Sequence, residues 1–283
     1  MADNRFGDDD LDWLKMVPPG KGQKFNPHHK PPGPGGGQFT SGEEDGGGGG
    51  GGDNLDHPGE GYSAAAYEDE NGVIHTDSVY DAAKALGDGR KVELSQPRTL
   101  STLIEHLGRI TKNYELLGEK APNYNLCNVT VQGTNLFCVE SKGIPRVQMP
   151  QLDEQQTRDF VAYLNEQGYH VKNGSEFASY LRATQNELNG ARVARQMARI
   201  DSGKLDMTET RLIVSKDNYI LDGHHRWAAD IGVDARDGVL NDDKKMAITR
   251  IDISITKLLE EADKFTGGKG KKPASAKPPF TRS

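Results

Sequence analysis

Apolar residues recur along this chain at two periods, and the switches between those periods mark its elements. Residues 80–86 are helical in composition, with Ala82, Ala83 and Ala85, and 91–94 read as a short strand. In 99–107 the apolar positions are Leu100, Leu103, Ile104 and Leu107, the i, i+3, i+4, i+7 stripe of an amphipathic helix. The period then falls to two. Val129 and Val131 alternate on one arm of 127–139, Leu136 and Cys138 on the other, with Gln132-Gly133-Thr134 between, a pattern that predicts a β-hairpin. Pro145 and Pro150 interrupt the chain before a helix over 153–167, which turns Phe160, Val161 and Leu164 inward and stops at Gly168. Tyr169-His170-Val171 follows as a strand. Residues 184–188 lead into a helix ending near Ile200, with Leu188, Ala191, Ala194 and Ala198 as its packing face. A strand over 211–216 turns at Asp217-Asn218 and returns antiparallel as 219–221. A β-rich run at 246–253 and an amphipathic helix at 255–265, with Leu258, Leu259 and Ala262, complete the pattern.

Before Val73 no such period exists. The chain has 283 residues, yet 34 glycines and a mean hydropathy of -0.73 leave much of it outside any core. Residues 1–75 are expected to be a disordered Gly/Pro-rich tether, because the run from Gly46 to Gly52 has no apolar surface to offset its ordering entropy. Asp12 to Val17 forms a small apolar island, either a solvated tail or a docking peptide anchored by Trp13. His28 and His29 lack neighbouring ligand types, so no metal site is assigned to them. Residues 267–283 are basic, with Lys269, Lys271, Lys272 and Lys277, and are expected to be a disordered tail able to touch nucleic acid nonspecifically. The ordered part divides into an α+β segment over 76–170 and a second α/β unit over 171–266. The fold class is therefore α+β.

A net charge of -7 argues against a nucleic-acid binder with a wholly basic surface and leaves room for a local basic patch. No window of about eighteen apolar residues occurs, so no membrane partner is expected. The acidic start does not resemble a signal peptide, and two cysteines make no disulfide framework. The expected setting is intracellular. A hairpin loop of Gln132 and Gly133 would place Cys127 across from Cys138, and a loop shifted by one residue would separate them. Reduced thiols are the expectation in a reducing compartment.

The chemistry concentrates in Tyr219-Ile220-Leu221-Asp222-Gly223-His224-His225-Arg226-Trp227-Ala228-Ala229, a strand-turn-helix junction. Gly223 permits a sharp turn, Asp222 is placed to cap the helix, and His224, His225 and Arg226 fall in its first turn. Unpaired N–H groups there attract anions. A cation in a first turn opposes the helix dipole, so Arg226 implies a negative partner, with phosphate the obvious one. The same residues also fit a structural role, with Asp222 a cap, Trp227 core and the histidines satisfied. Gln185, Asn186 and Glu187 could hydrogen-bond a base or ribose, or activate water, if the fold brings them beside Arg226. A helix terminus contributes about 0.3 to 1 kcal/mol toward an anion and a charge-assisted arginine bond roughly 1.5 to 3, together at best millimolar affinity. More donors are required. Lys216 and the stripe of Arg192, Arg195 and Arg199 are the nearest candidates, and no Walker-type loop is present.

The order of Gln185-Asn186-Glu187-Leu188, hairpin, Asp222-Gly223-His224-His225-Arg226-Trp227-Ala228-Ala229, strand, then Ile251-Asp252-Ile253 through Leu258-Leu259-Glu260-Glu261-Ala262 resembles the ParB/sulfiredoxin superfamily. The closest likeness is to ParB-like domains of phage and prophage proteins, where a segment like Asn135-Leu136-Phe137-Cys138 precedes the domain. Pro34 to Gly42 is similar to segments of tailed-phage head proteins. The resemblance implies a small α/β domain that binds a nucleoside triphosphate or diphosphate, with Mg²⁺ as charge neutraliser. Gly223, His224, His225 and Arg226 would form the phosphate-binding turn, and Gln185 to Glu187 the polar segment facing the nucleotide. The family's reductases carry a cysteine in this turn, where His224 or His225 stands here, which argues against sulfinic-acid reduction. The partition proteins add a helix-turn-helix that is not found after this domain here. Three functions follow as expectations: a phage-type accessory protein whose domain binds a nucleotide and hydrolyses or transfers its phosphate with Glu187 as base; a nuclease in which His224 and His225 handle protons or metal at a DNA phosphodiester; and a noncatalytic virion or head-assembly interaction protein. The implied location is the host cytoplasm or the virion.

Overall fold

The computed structural model describes residues 62–240 and 245–267. The Gly46 run, the Trp13 island, His28, His29 and the basic tail after Gly267 lie outside the described residues. The fold is α+β. Its first sheet, in the order β1-β2-β3-β4, consists of β1 (Tyr67–Glu68), β2 (Ile74–His75), β3 (Val92–Leu94) and β4 (Val129–Val131). The helix α1 (Val79–Gly87) connects β2 to β3, and α2 (Pro97–Leu116) connects β3 to β4. Both connected pairs are parallel, as helical crossovers require.

Two expectations are corrected in this half. Ordered chain begins well before Val73: β1 and β2 fall within the stretch expected to be disordered, the Ser63 N–H donates to Asp81 Oδ1 at 3.1 Å, and the Tyr62 ring lies under Lys84 and Arg90. The glycine-rich average conceals these pairs, which a window over composition cannot register.

The hairpin at 127–139 does not form. Gln132 and Gly133 do make a tight turn at φ 51° and 76°, and Val131 bridges Thr134. Beyond it Asn135 Oδ1 accepts the N–H groups of Phe137 and Cys138, at 3.2 and 2.8 Å. That side chain competes successfully with a ladder and curls the second arm into turns. β4 pairs instead with β3. Cys127 and Cys138 are nonetheless joined as a disulfide with Cα atoms 5.2 Å apart, and are not the two free thiols expected.

The second sheet has the order β5-β9-β7-β8-β6, from β5 (Val171–Phe177), β6 (Arg182–Ala183), β7 (Leu212–Ser215), β8 (Tyr219–Asp222) and β9 (Lys245–Ile251). Around it stand α3 (Glu154–Glu166), α4 (Gly190–Asp201), α5 (His224–Asp234) and α6 (Ile255–Thr266). The expected strand at Tyr169 begins later, at Val171. Asn218 at φ 68° makes the predicted turn between β7 and β8.

Side chains alternate across the two central strands, which are buried on both faces, as strands between two helix layers are. Leu212, Val214 and Ile220 join the larger core, with Trp227, Val193 and Met197. Ile213, Tyr219 and Leu221 join a second core with Phe160, Leu164, Ile255 and Leu258. The larger core also takes in Leu100, Leu103, Ile104 and Leu107 of α2 and Val92 and Leu94 of β3. One core thus runs through both sheets, while α3, from before the boundary expected at residue 170, packs with α6 from beyond it. Among the described residues no helix is long and apolar enough to cross a membrane.

Candidate functional site

β8 ends at Asp222 and α5 starts two residues later, so the chain must reverse within Gly223. It does so at φ 101°. That backbone state is open to glycine and strained for other residues. A Cβ here would stand 2.3 Å from Leu212 Cδ2. Gly223 is the N-cap itself and has no side chain to cover the first-turn N–H groups of α5. Asp222 does not cap the helix as expected. Its Oδ2 accepts from Arg226 Nη2 at 2.7 Å in a half-buried ion pair. The negative partner implied by Arg226 is therefore already in the chain, one helical turn away.

These residues form one wall of a cleft of about 680 Å³. The opposite walls are the segment from Arg146 to Leu152, the first turns of α3, Gln196 and Arg199 of α4, and Thr210 and Arg211 ahead of β7. Cations dominate. Arg146, Arg158, Arg199 and Arg211 line the cleft, and among the described residues none of them has a carboxylate within ion-pair distance. Arg146 is the least comfortable of them. Burial and the neighbouring Arg192 lower its pKa, with smaller opposing effects from Glu187 and Asp222. Its Nη2 donates only to the neutral Gln151 Oε1, at 3.2 Å.

The two histidines part ways. His224 is 5% exposed, and its Nε2 accepts the Thr184 N–H at 3.0 Å, which makes it a structural tie between α5 and the polar entrance segment. Burial, and then Arg146, push its pKa down to about 3. His225 is also held well below the ordinary imidazole value, by burial, then by Arg146, Arg192 and His224. Its Nε2 is buried and has no hydrogen-bond partner. A buried polar nitrogen without a partner costs roughly 1 to 3 kcal/mol, and a ligand in the cleft would remove that cost. Both rings are neutral at neutral pH, so neither supplies charge to the site. Trp227 fits the structural reading: it is core, and its Nε1 donates to Ala178 O at 2.9 Å.

The remaining sequence-derived residues are divided. Gln185 lines the cleft, 1% exposed, and its Nε2 donates to Glu187 O at 2.7 Å. Asn186 and Glu187 are next to the cleft and do not line it. The Asn186 side chain is exposed, while Glu187 is close enough to Arg146 to favour its charge. Lys216 is removed from the set. It sits at the turn end of the β7–β8 hairpin, roughly 13 Å from Gly223 by the rise of a four-residue strand, and faces Asp252 at 3.8 Å.

Arg146 and Arg211 were not singled out by the sequence. The one available signal for Arg146 was an arginine held directly behind Pro145 and close to Pro150, a cation on stiffened backbone. Among the described residues no three His, Cys, Asp or Glu side chains are grouped to hold a metal ion. No family model, curated protein or solved structure matches the chain.

Proposed function

We propose that this cleft binds the phosphate groups of a nucleoside diphosphate or triphosphate, in the manner implied by the resemblance to ParB/sulfiredoxin-like domains. The observation that carries the reading is Arg146: a partly desolvated guanidinium beside Arg192, without a carboxylate partner, at the uncapped start of α5. Such a charge is stabilised by an anion. About three charge-assisted bonds from the arginines of the cleft, with the helix terminus, reach the ~8 kcal/mol of a micromolar complex that Arg226 alone could not supply.

The phosphates would lie between Arg146 and the first turn of α5, with His225 Nε2 gaining its missing partner there. Mg²⁺, where required, would be carried on the phosphate oxygens, because the described residues group no ligand set of their own. Glu187 is the proposed base for hydrolysis or transfer, supported by its electrostatic interaction with Arg146. The phage-type setting rests on Pro34 to Gly42 and stays a proposal with it.

Calorimetry of the full chain with ATP, ADP, CTP, GTP and pyrophosphate, with and without Mg²⁺, tests the reading. Wild type should bind at least one of them, and Arg146→Ala should bind it roughly ten- to a hundredfold more weakly, the loss of one charge-assisted bond. Stability should hold or rise in that variant, since a disfavoured charge is removed. A wild type without affinity for any of these ligands would refute the reading, and nicking of plasmid by that same protein would favour the nuclease.

A further inference from the structure

We infer that the Cys127–Cys138 disulfide is a redox control on the cleft: it fastens the strap that carries Arg146, and its reduction lets that arginine leave. This rests on the proposed anion site. Cys127 stands on fixed ground. Its N–H donates to Asn125 Oδ1 at 3.1 Å, the same oxygen accepts the Leu188 N–H at 2.9 Å, and the Leu126 N–H donates to Leu188 O at 2.8 Å. That end is therefore tied directly to the segment that follows Gln185.

Cys138 begins the strap. Phe137 before it is buried, with its ring edge-on to Trp227 of α5. From Val139 to Gln148 the chain is neither helix nor ladder strand until a short 3-10 turn, Arg146–Gln148, and most of its residues are exposed. Three backbone hydrogen bonds hold it to the entrance segment: Lys142 N–H to Ala183 O at 3.3 Å, Ile144 N–H to Thr184 O at 3.2 Å, and Asn186 N–H to Ile144 O at 3.0 Å. The side-chain ties are a part-buried hydrogen bond from the Tyr219 hydroxyl to Glu140 O at 3.1 Å and two at the surface, an exposed ion pair between Glu140 and Arg182 and a Lys142 ammonium over the Tyr219 ring. Exposed ties of this kind contribute little. The covalent bond at the head of the strap is thus the strongest restraint on it.

Electrostatics pulls the other way. Burial and Arg192 disfavour the Arg146 charge where it sits, so a loosened strap gains by carrying the guanidinium into water. Both sulfurs belong to half-buried residues at the edge of the larger core. A disulfide reagent RSSR closes the switch: one Cys thiolate attacks it, releasing RSH and forming Cys–S–SR, and the second displaces another RSH. Overall, two Cys–SH and RSSR give Cys–S–S–Cys and two RSH, and a dithiol reductant reverses the reaction.

The test compares oxidised and dithiothreitol-reduced full-length protein by amide hydrogen exchange and by pyrophosphate calorimetry, with Cys127→Ala/Cys138→Ala as the redox-insensitive control. Reduction should speed exchange across 139–149 about ten- to a hundredfold, as expected when a loop restraint is lost, leave α6 unchanged, and weaken pyrophosphate binding about tenfold; the control should ignore dithiothreitol. Equal exchange across the strap in both states overturns the inference, as does equal pyrophosphate affinity in a protein that binds it. If the oxidised protein binds no pyrophosphate, the proposed site fails and control of it fails with it, while the exchange data still decide whether the bond governs the strap.

Discussion

At Gly223 the site depends on a residue with no side chain. The φ of 101° and the 2.3 Å approach to Leu212 Cδ2 leave no space for a Cβ. Gly223→Ala should therefore cost about 1 to 3 kcal/mol, from left-handed strain and overpacking together. Urea denaturation would measure it, and an unchanged midpoint would show that the turn relaxes without cost. The neighbours illustrate how a single-residue reading goes wrong. Arg226 was the cation that implied a ligand, yet its charge is met by Asp222 on the preceding strand end. Arg146, which sequence gave no role, is one of four cleft arginines that have no carboxylate within ion-pair distance among the described residues.

Helix α3 shows how an element can be legible while its job is not. Its amphipathic stripe and its stop at Gly168 are read directly from the chain. Its start is a reciprocal cap, in which Asp153 Oδ1 accepts the Gln156 N–H at 2.9 Å and Gln156 Oε1 accepts the Asp153 N–H at 3.0 Å. Asp153, Glu154, Thr157 and Arg158 of this first turn line the cleft. Asp153→Ala should cost ~1 kcal/mol, the usual worth of such a cap, and fray the wall, so that hydrogen exchange quickens at the start of α3 with α5 unaffected. Uniform exchange along α3 would contradict it. β4 teaches the complementary lesson. Its own residues favour a strand, but its partner is β3, reached across the whole of α2, and local alternation carries no information about that choice.

For the molecule as a whole, acid stability joins the two cores. His224 has a folded pKa of about 3 against an ordinary 6.5, so between those values the unfolded chain binds more protons and stability falls as pH falls. The slope from one such histidine is at most ~1.4 kcal/mol per pH unit, and His225 adds to it in the same direction. Glu261 acts lower. Lys264 first, then the hydroxyls of Tyr163 and Tyr169, hold its carboxyl near about 2, so its contribution is present above the ordinary 4.5 and is lost as pH falls toward 2. Melting temperature should decline steadily from pH 7 to 4 and collapse below. A flat profile between pH 7 and 4 would mean that the imidazoles are not buried in the folded protein.

The residues alone specify the α+β class, most helices, the β7–β8 hairpin and the sharp turn at Gly223, because periodicity, caps and turn chemistry act over a few neighbouring residues. They also single out the first turn of α5 as the candidate place for the proposed anion. They do not specify that one core runs through both sheets, that Cys127 meets Cys138 without a hairpin, that Lys216 points away from the cleft, or that Arg146 arrives in it from a loop far upstream. Each of those is a matter of which distant surfaces bury one another, and a counterion or its absence is a property of that burial rather than of any short stretch of chain.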